Sequence, residues 1–152
     1  MDDLDKIASD IQDSVDAQVR REYGEVVAAR WKDLSHYGPL PGHNGRAVNT
    51  GVCGDTVEMF LKIEDGKVAR ASFLTDGCVA TAVCASLAAE AAEGCGLGEV
   101  MDISGEDILS AAGGLPADHE HCAHLAAQAL HAALEDFLAK SKPAFDPSGK
   151  NR

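Results

Sequence analysis

The chain has 152 residues, of which 45% are hydrophobic and 25% charged, the make-up of one ordinary globular domain and not of a disordered segment. Acids outnumber bases 25 to 13, for a formal net charge of −12. That sign speaks against a nucleic-acid partner and against binding to an anionic membrane surface, both of which select clustered Lys and Arg. No apolar run approaches the roughly 20 residues of a membrane span. The opening Met1-Asp2-Asp3 lacks the basic region and apolar core of a signal peptide, so a cytoplasmic location is expected. Five cysteines are an odd number for such a chain, which points away from a disulfide framework and toward metal or thiolate chemistry.

In chain order, residues 1 to about 34 read as helical. Leu4, Ile7, Ile11, Val15 and Val19 recur at steps of three and four, and Val27, Trp31 and Leu34 continue a similar stripe. Six aspartates fall within the first sixteen residues. A solvated helix face is the common origin of such a run, and a docking surface for a basic partner the rarer one. From Tyr37 to Gly51 the composition turns to Gly, Pro, Asn and His, which is loop chemistry. Val57, Met59, Leu61 and Ile63 then alternate with Thr56, Glu58, Phe60 and Lys62 as a strand. Asp65-Gly66 signals a hairpin turn, and Lys67 to Thr75 is the return strand, with Val68 and Leu74 on one row and Ala69, Ala71 and Phe73 on the other. Residues 45–52 can supply a third strand. Beyond Gly77 an alanine-rich helix runs through Glu93, a short helix follows over Gly105–Ala112, and a last helix runs from about His119 to Lys140. The expected fold is α+β: a small three-stranded antiparallel sheet with helices packed on one face and an extra N-terminal helix. The expected organisation is an acidic helical extension over 1–24, a domain over 25–140, and a flexible tail over 141–152.

Three of the five cysteines sit at element ends. Cys53 lies in Gly51-Val52-Cys53-Gly54-Asp55 before the first hairpin strand, Cys78 follows Gly77 at a helix start, and Cys122 follows His121 at the start of the last helix. Such positions expose a thiol and favour its thiolate, the form that binds metal. On the wheel of the last helix Cys122 projects onto the apolar stripe and His121 onto its edge, whereas His124 and His131 project to the polar side. His119 stays unassigned, one turn upstream. A lone cysteine is more often a small buried hydrophobe than a ligand, and that description suits Cys84, among alanines, and Cys95, in a glycine-rich turn. Three cysteines, an aspartate and a histidine make four or five soft and borderline donors, which suit zinc or an iron–sulfur cluster.

Cys53-Gly54-Asp55, then Phe73 with Gly77-Cys78, Ala80, Ala82 and Ser86, then Leu115-Pro116 and His121-Cys122 with Leu125, Ala126 and Ala129, resembles the IscU/NifU-type iron–sulfur cluster assembly scaffolds over roughly residues 25 to 139. The resemblance implies cluster ligands at Cys53, Cys78 and Cys122, with Asp55 and His121 as further members of the ligand shell. It implies a non-enzymatic scaffold that receives sulfur from a cysteine desulfurase, assembles a [2Fe-2S] cluster with iron, and passes it to apo iron–sulfur proteins. A homodimer around the cluster is compatible with it. His121, and the lack of an insertion between Cys78 and Cys122, look like the IscU branch and not the zinc-dependent sulfur-acceptor branch. In the cluster-free form the same residues can bind Zn²⁺, and a zinc-binding structural or regulatory module, or a zinc-dependent sulfur acceptor, is the alternative reading. The family's Leu-Pro-Pro-Val-Lys segment, which docks an Hsp70-type chaperone, is here Leu115-Pro116-Ala117-Asp118-His119. It loses a proline, an apolar anchor and a positive charge, so chaperone-assisted transfer is not expected.

Overall fold

The computed structural model describes residues 3–141. The tail expected over 141–152 lies outside them except for Ser141. In chain order come α1 (Asp3–Tyr23), α2 (Glu25–Lys32), β1 (Gly45–Thr50), β2 (Thr56–Glu64), β3 (Lys67–Thr75), α3 (Val79–Ala92), α4 (Leu97–Met101), α5 (Gly105–Ala111), a 3-10 turn at Ala117–His119, and α6 (His121–Ser141).

The three strands form one antiparallel sheet in the order β1-β2-β3, with Thr50 opposite Thr56 and Glu64 opposite Lys67. Met59, Leu61 and Ile63 of β2 point into the core, as the period-two pattern requires. The return strand departs from its expected rows. A register shift at Lys62/Ile63 leaves Ala69 and Arg70 exposed together, so Val68 lies on the same buried face as Ala71 and Phe73, opposite Ile63, Leu61 and Met59. A bulge inserts one residue and flips every side chain beyond it, which simple alternation cannot foresee. The outer edge of β3 is covered by residues 36–38: the Phe73 amide donates to the His36 carbonyl, and the Gly38 amide to the Phe73 carbonyl. At the other edge the Asp136 carboxylate of α6 accepts the Arg46 amide at 2.9 Å. The β3 edge is thereby covered, and the β1 edge is capped at Arg46.

Helices α3 and α6 pack on one face of the sheet, α3 against β3 and α6 against β1 and β2. Residues 80–89 of α3 are buried on every side, so this helix is the centre of the core and not a surface helix. Its alanines, and those at 126, 129 and 133 of α6, let backbones come close. Where α6 crosses β1 the backbones are close: a Cβ on Gly45 would stand 2.6 Å from the Ala133 carbonyl oxygen.

Two boundaries differ from the sequence expectation. The N-terminal helix is not continuous to residue 34, because Gly24, at φ 96°, breaks it into α1 and α2. The last helix starts at His121, not His119, since residues 117–119 form a separate 3-10 turn. The helix α4 was not foreseen; its first turn is closed by the Glu99 carboxylate, which accepts the Gly96 amide at 2.8 Å. His131, expected on the polar side of α6, is half-buried with its Nε2 out of solvent and unbonded, whereas His124 is exposed.

Candidate metal centre

Four segments meet beside the N-terminal end of α3. The β1–β2 loop brings Cys53 and Asp55, the β3–α3 junction brings Gly77 and Cys78, the 3-10 turn brings His119, and the first turn of α6 brings His121 and Cys122. The loop is closed by its own backbone, the Gly51 amide donating to the Asp55 carbonyl at 2.8 Å and the Gly54 amide to the Gly51 carbonyl at 3.0 Å. Gly54 at φ 89° makes that turn possible, and Val52 and Cys53 stand exposed at its tip. The Asp76 carboxylate accepts the Thr56 amide at 2.9 Å and the Thr75 hydroxyl donates to the Thr56 carbonyl at 2.6 Å, which ties the end of the loop to the junction.

Thr81 occupies the middle. Its hydroxyl donates to Asp55 Oδ2 at 2.7 Å, and the same oxygen lies 3.3 Å from Cys122 Sγ and 3.6 Å from Cys78 Sγ. With one proton to give, the hydroxyl commits it to the charged carboxylate, the nearest of the three. Gly77 is obligatory by space alone: a Cβ there would sit 2.8 Å from the Thr81 Cβ and 2.9 Å from Asp55 Oδ2.

The three implicated cysteines differ sharply in surroundings. Cys53 is exposed, Cys78 half-buried, and Cys122 fully buried, which corrects the expectation that all three element ends present an accessible thiol. The cause is that Cys122 lies on the apolar side of α6, under α3. Cys78 and Cys122 hold one negative charge between them. A hydrogen bond from Cys122, then contacts from Thr81 and the first amides of α3, draw the Cys78 thiol down to about 5 against the cost of burial, while the neighbouring charge and burial hold Cys122 protonated. The Thr81 hydroxyl, then the Cys78 amide and the nearby thiols of Cys53 and Cys78, keep the Asp55 carboxyl below the usual carboxylate range despite partial burial. Cys84 is buried among alanines, its thiol pushed up to about 12 by desolvation, and the Cys95 thiol donates to the Ala91 carbonyl at 3.2 Å.

Among the described residues, the one group of three or more ligand-type side chains that converge is Cys78, His119 and Cys122, whose donor atoms all lie within 4.8 Å of one another. His121 stands beside it, with Nε2 3.8 Å from Cys122 Sγ and its ring stacked on that of His119 at 6.5 Å between centroids. Asp55 flanks the group through Thr81, and the Cys53 thiol lies beside the Asp55 carboxylate. Tyr23, from the end of α1, places its ring edge-on to His119 at 5.3 Å, and burial together with the nearby charge of Cys78 raises its hydroxyl to about 12. Sequence reasoning had no place for Thr81 or Tyr23 and left His119 unassigned. Only the position of Thr81 three residues after Cys78, one turn along α3, could have signalled it. Two thiols, one or two imidazoles and a carboxylate are a donor set for zinc or iron.

Residues 22–144 match the model of the NifU-like N terminal domain family. The chain is 32% identical over 120 residues to the iron-sulfur cluster assembly scaffold protein IscU 1 of Archaeoglobus fulgidus, with 78% of each chain covered. It is 30% identical over 134 residues to the nitrogen fixation protein NifU of a Nostoc species, covering 82% of this chain and 45% of that one. Among solved structures, the N-terminal part of a nitrogen-fixing NifU-like protein from Brucella abortus superposes with a TM-score of 0.61 at 18% identity, covering 77% of this chain and 94% of that one, a likeness of fold.

Proposed function

The chain belongs to the NifU-like N-terminal domain family, and from that premise we propose that it is a scaffold on which an iron–sulfur cluster is assembled and from which it is handed on. The observation that carries this reading is the convergence of Cys78 and Cys122 with a histidine, beside a carboxylate tethered by Thr81 and a third cysteine on an exposed loop tip. The cluster is cargo, not a resident cofactor, so the site has to capture sulfur and iron and also release their product.

The residues suit both duties. A thiolate of the site attacks the outer sulfur of a persulfide on a cysteine desulfurase. A new sulfur–sulfur bond forms on the scaffold and the desulfurase cysteine leaves as a thiolate. Reduction of that sulfane sulfur to sulfide takes two electrons from an external donor. Cys78, ionised at neutral pH, is poised as acceptor or ligand, and Cys53 at the exposed tip is the thiol a bulky donor reaches first. Cys53, Cys78 and Cys122 then hold a [2Fe-2S] cluster, with Asp55 and His121 in its shell. Asp55 gives the shell a hard oxygen donor, which favours release over four-thiolate retention. The partners that follow are a cysteine desulfurase and apo iron–sulfur proteins. Zn²⁺ fits the same donors in the cluster-free form.

Anaerobic reconstitution with iron, cysteine and a desulfurase tests the reading. Visible absorption of a [2Fe-2S] cluster, with matching iron and sulfide, is the expected result. Cys53→Ser, Cys78→Ser and Cys122→Ser each lose it, and Cys84→Ser and Cys95→Ser keep it. Asp55→Ala should give a longer-lived cluster that transfers more slowly. Retention of the cluster by the Cys78→Ser variant would overturn the assignment.

A further inference from the structure

We propose that His119 is itself a metal ligand of this site, forming with Cys78 and Cys122 a three-donor set that is already assembled in the fold. The inference rests on the reading that the site takes zinc or iron, and it gives to His119 a role that the family resemblance assigns only to His121.

Geometry favours His119. Around a tetrahedral Zn²⁺, with bonds of about 2.3 Å to sulfur and 2.0–2.1 Å to nitrogen, neighbouring donors sit roughly 3.5–3.8 Å apart. The donors of Cys78, His119 and Cys122 lie within 4.8 Å of one another, so shifts on the order of 1 Å bring all three onto one ion. His121 lies near Cys122, yet it is His119 that shares the convergent group with both sulfurs. The backbone of His119 is fixed by its amide, which donates to the Pro116 carbonyl at 2.8 Å, and the ring is braced edge-on by Tyr23. A braced imidazole loses little freedom on ligation, which is the service an outer shell gives to a metal ligand. The chemistry agrees: position 119 is lysine in the resembling motif, and an ammonium cannot ligate, whereas an imidazole can. Two sulfurs and one nitrogen leave the fourth position to Cys53, Asp55 or His121.

The test uses the metal-free full chain titrated with Zn²⁺ against a chelating indicator, and with Co²⁺ by visible absorption. His119→Ala should weaken Zn²⁺ binding by more than the roughly 10–100-fold that loss of an outer-shell partner costs, and should change the Co²⁺ ligand-field bands. His119→Gln keeps the bulk against Tyr23 and should show the same losses, which separates ligation from packing. Zn²⁺ affinity within 10-fold of the parent and unchanged Co²⁺ bands in both variants would overturn the inference. Cys78→Ser and Cys122→Ser separate the two readings. If they abolish binding while the His119 variants do not, only His119 is misassigned. If they too leave binding intact, the metal site itself is misplaced.

Discussion

The hydroxyl of Thr81 touches Asp55, Cys78 and Cys122, and no other side chain reaches all three within the described hydrogen bonds. Thr81→Val keeps the shape and removes the donor, leaving a carboxylate that has lost its charge-assisted hydrogen bond. The Asp55 carboxyl should then titrate higher, while the backbone amide of residue 81, which also lowers the Cys78 thiol, is kept. The sign for Cys78 follows from its surroundings. With its thiol held at about 5, alkylation of the metal-free protein should rise through that pH and be complete in thiolate by pH 7, far ahead of Cys84 at about 12. Cys122→Ala removes the hydrogen bond that contributes most and should move the Cys78 midpoint upward. Iodoacetamide rates against pH, with peptide mapping, measure both; an unmoved midpoint would show that Cys122 does not stabilise the thiolate.

At the scale of elements, α1 differs from the rest. Its stripe has the spacing of a core-facing helix, yet Leu4, Ile7, Ile11 and Val15 are 75, 53, 60 and 41% exposed, and only Val19 is buried. Periodicity reports an amphipathic helix; it does not report whether a partner surface follows. Replacing Ile7 and Ile11 with Gln should therefore change stability by no more than about 0.5 kcal/mol each, where core positions would cost several times that. Chemical denaturation checks this. Helix α2 is instead tied to α3 by the ion pair of Arg30 with Glu90, which lowers the Glu90 carboxyl. A carboxyl depressed in the fold stabilises above its unfolded value, about 4.3, and that contribution fades as pH falls through the lower folded value. Both groups are substantially exposed, so Glu90→Gln should cost at most about 1 kcal/mol at pH 7. The difference from the parent should vanish in acid. A cost independent of pH would assign it to packing.

The same scale shows what the sequence could and could not reveal. The hairpin, the third strand and the alanine-rich helix were legible because period, turn chemistry and breakers agreed at Met59, Asp65-Gly66 and Gly77. The bulge at Lys62/Ile63 was not, since nothing local marks where an extra residue enters a ladder. Cys53, Cys78 and Cys122 stood out by their glycine, aspartate and histidine neighbours. The differing burial of these thiols, the bridging by Thr81 and the arrival of His119 depend on how four segments converge, and no single segment carries that information.

For the molecule as a whole, the sheet, α3 and α6 serve as the frame, and the site is built from the ends of elements and the loops between them. The frame fixes Cys78 and Cys122 from two helices, while Asp55 of the β1–β2 loop reaches them through the Thr81 hydroxyl and the Cys78 amide. An assembly of this kind can hold a cluster without enclosing it, since Cys53 remains at the surface. The strong negative charge of the chain suits docking against basic protein surfaces. Handing on the cluster is therefore the claim on which the account depends. The direct measurement is anaerobic incubation of the reconstituted protein with an apo-acceptor of the ferredoxin type, followed by circular dichroism in the visible range as the cluster moves, without added chaperone. The expected result is loss of the scaffold's signal matched by growth of the acceptor's, slowed in Asp55→Ala. A chain that takes up only zinc, forms no cluster, and unfolds reversibly on chelation would contradict the account and identify a zinc-stabilised module instead.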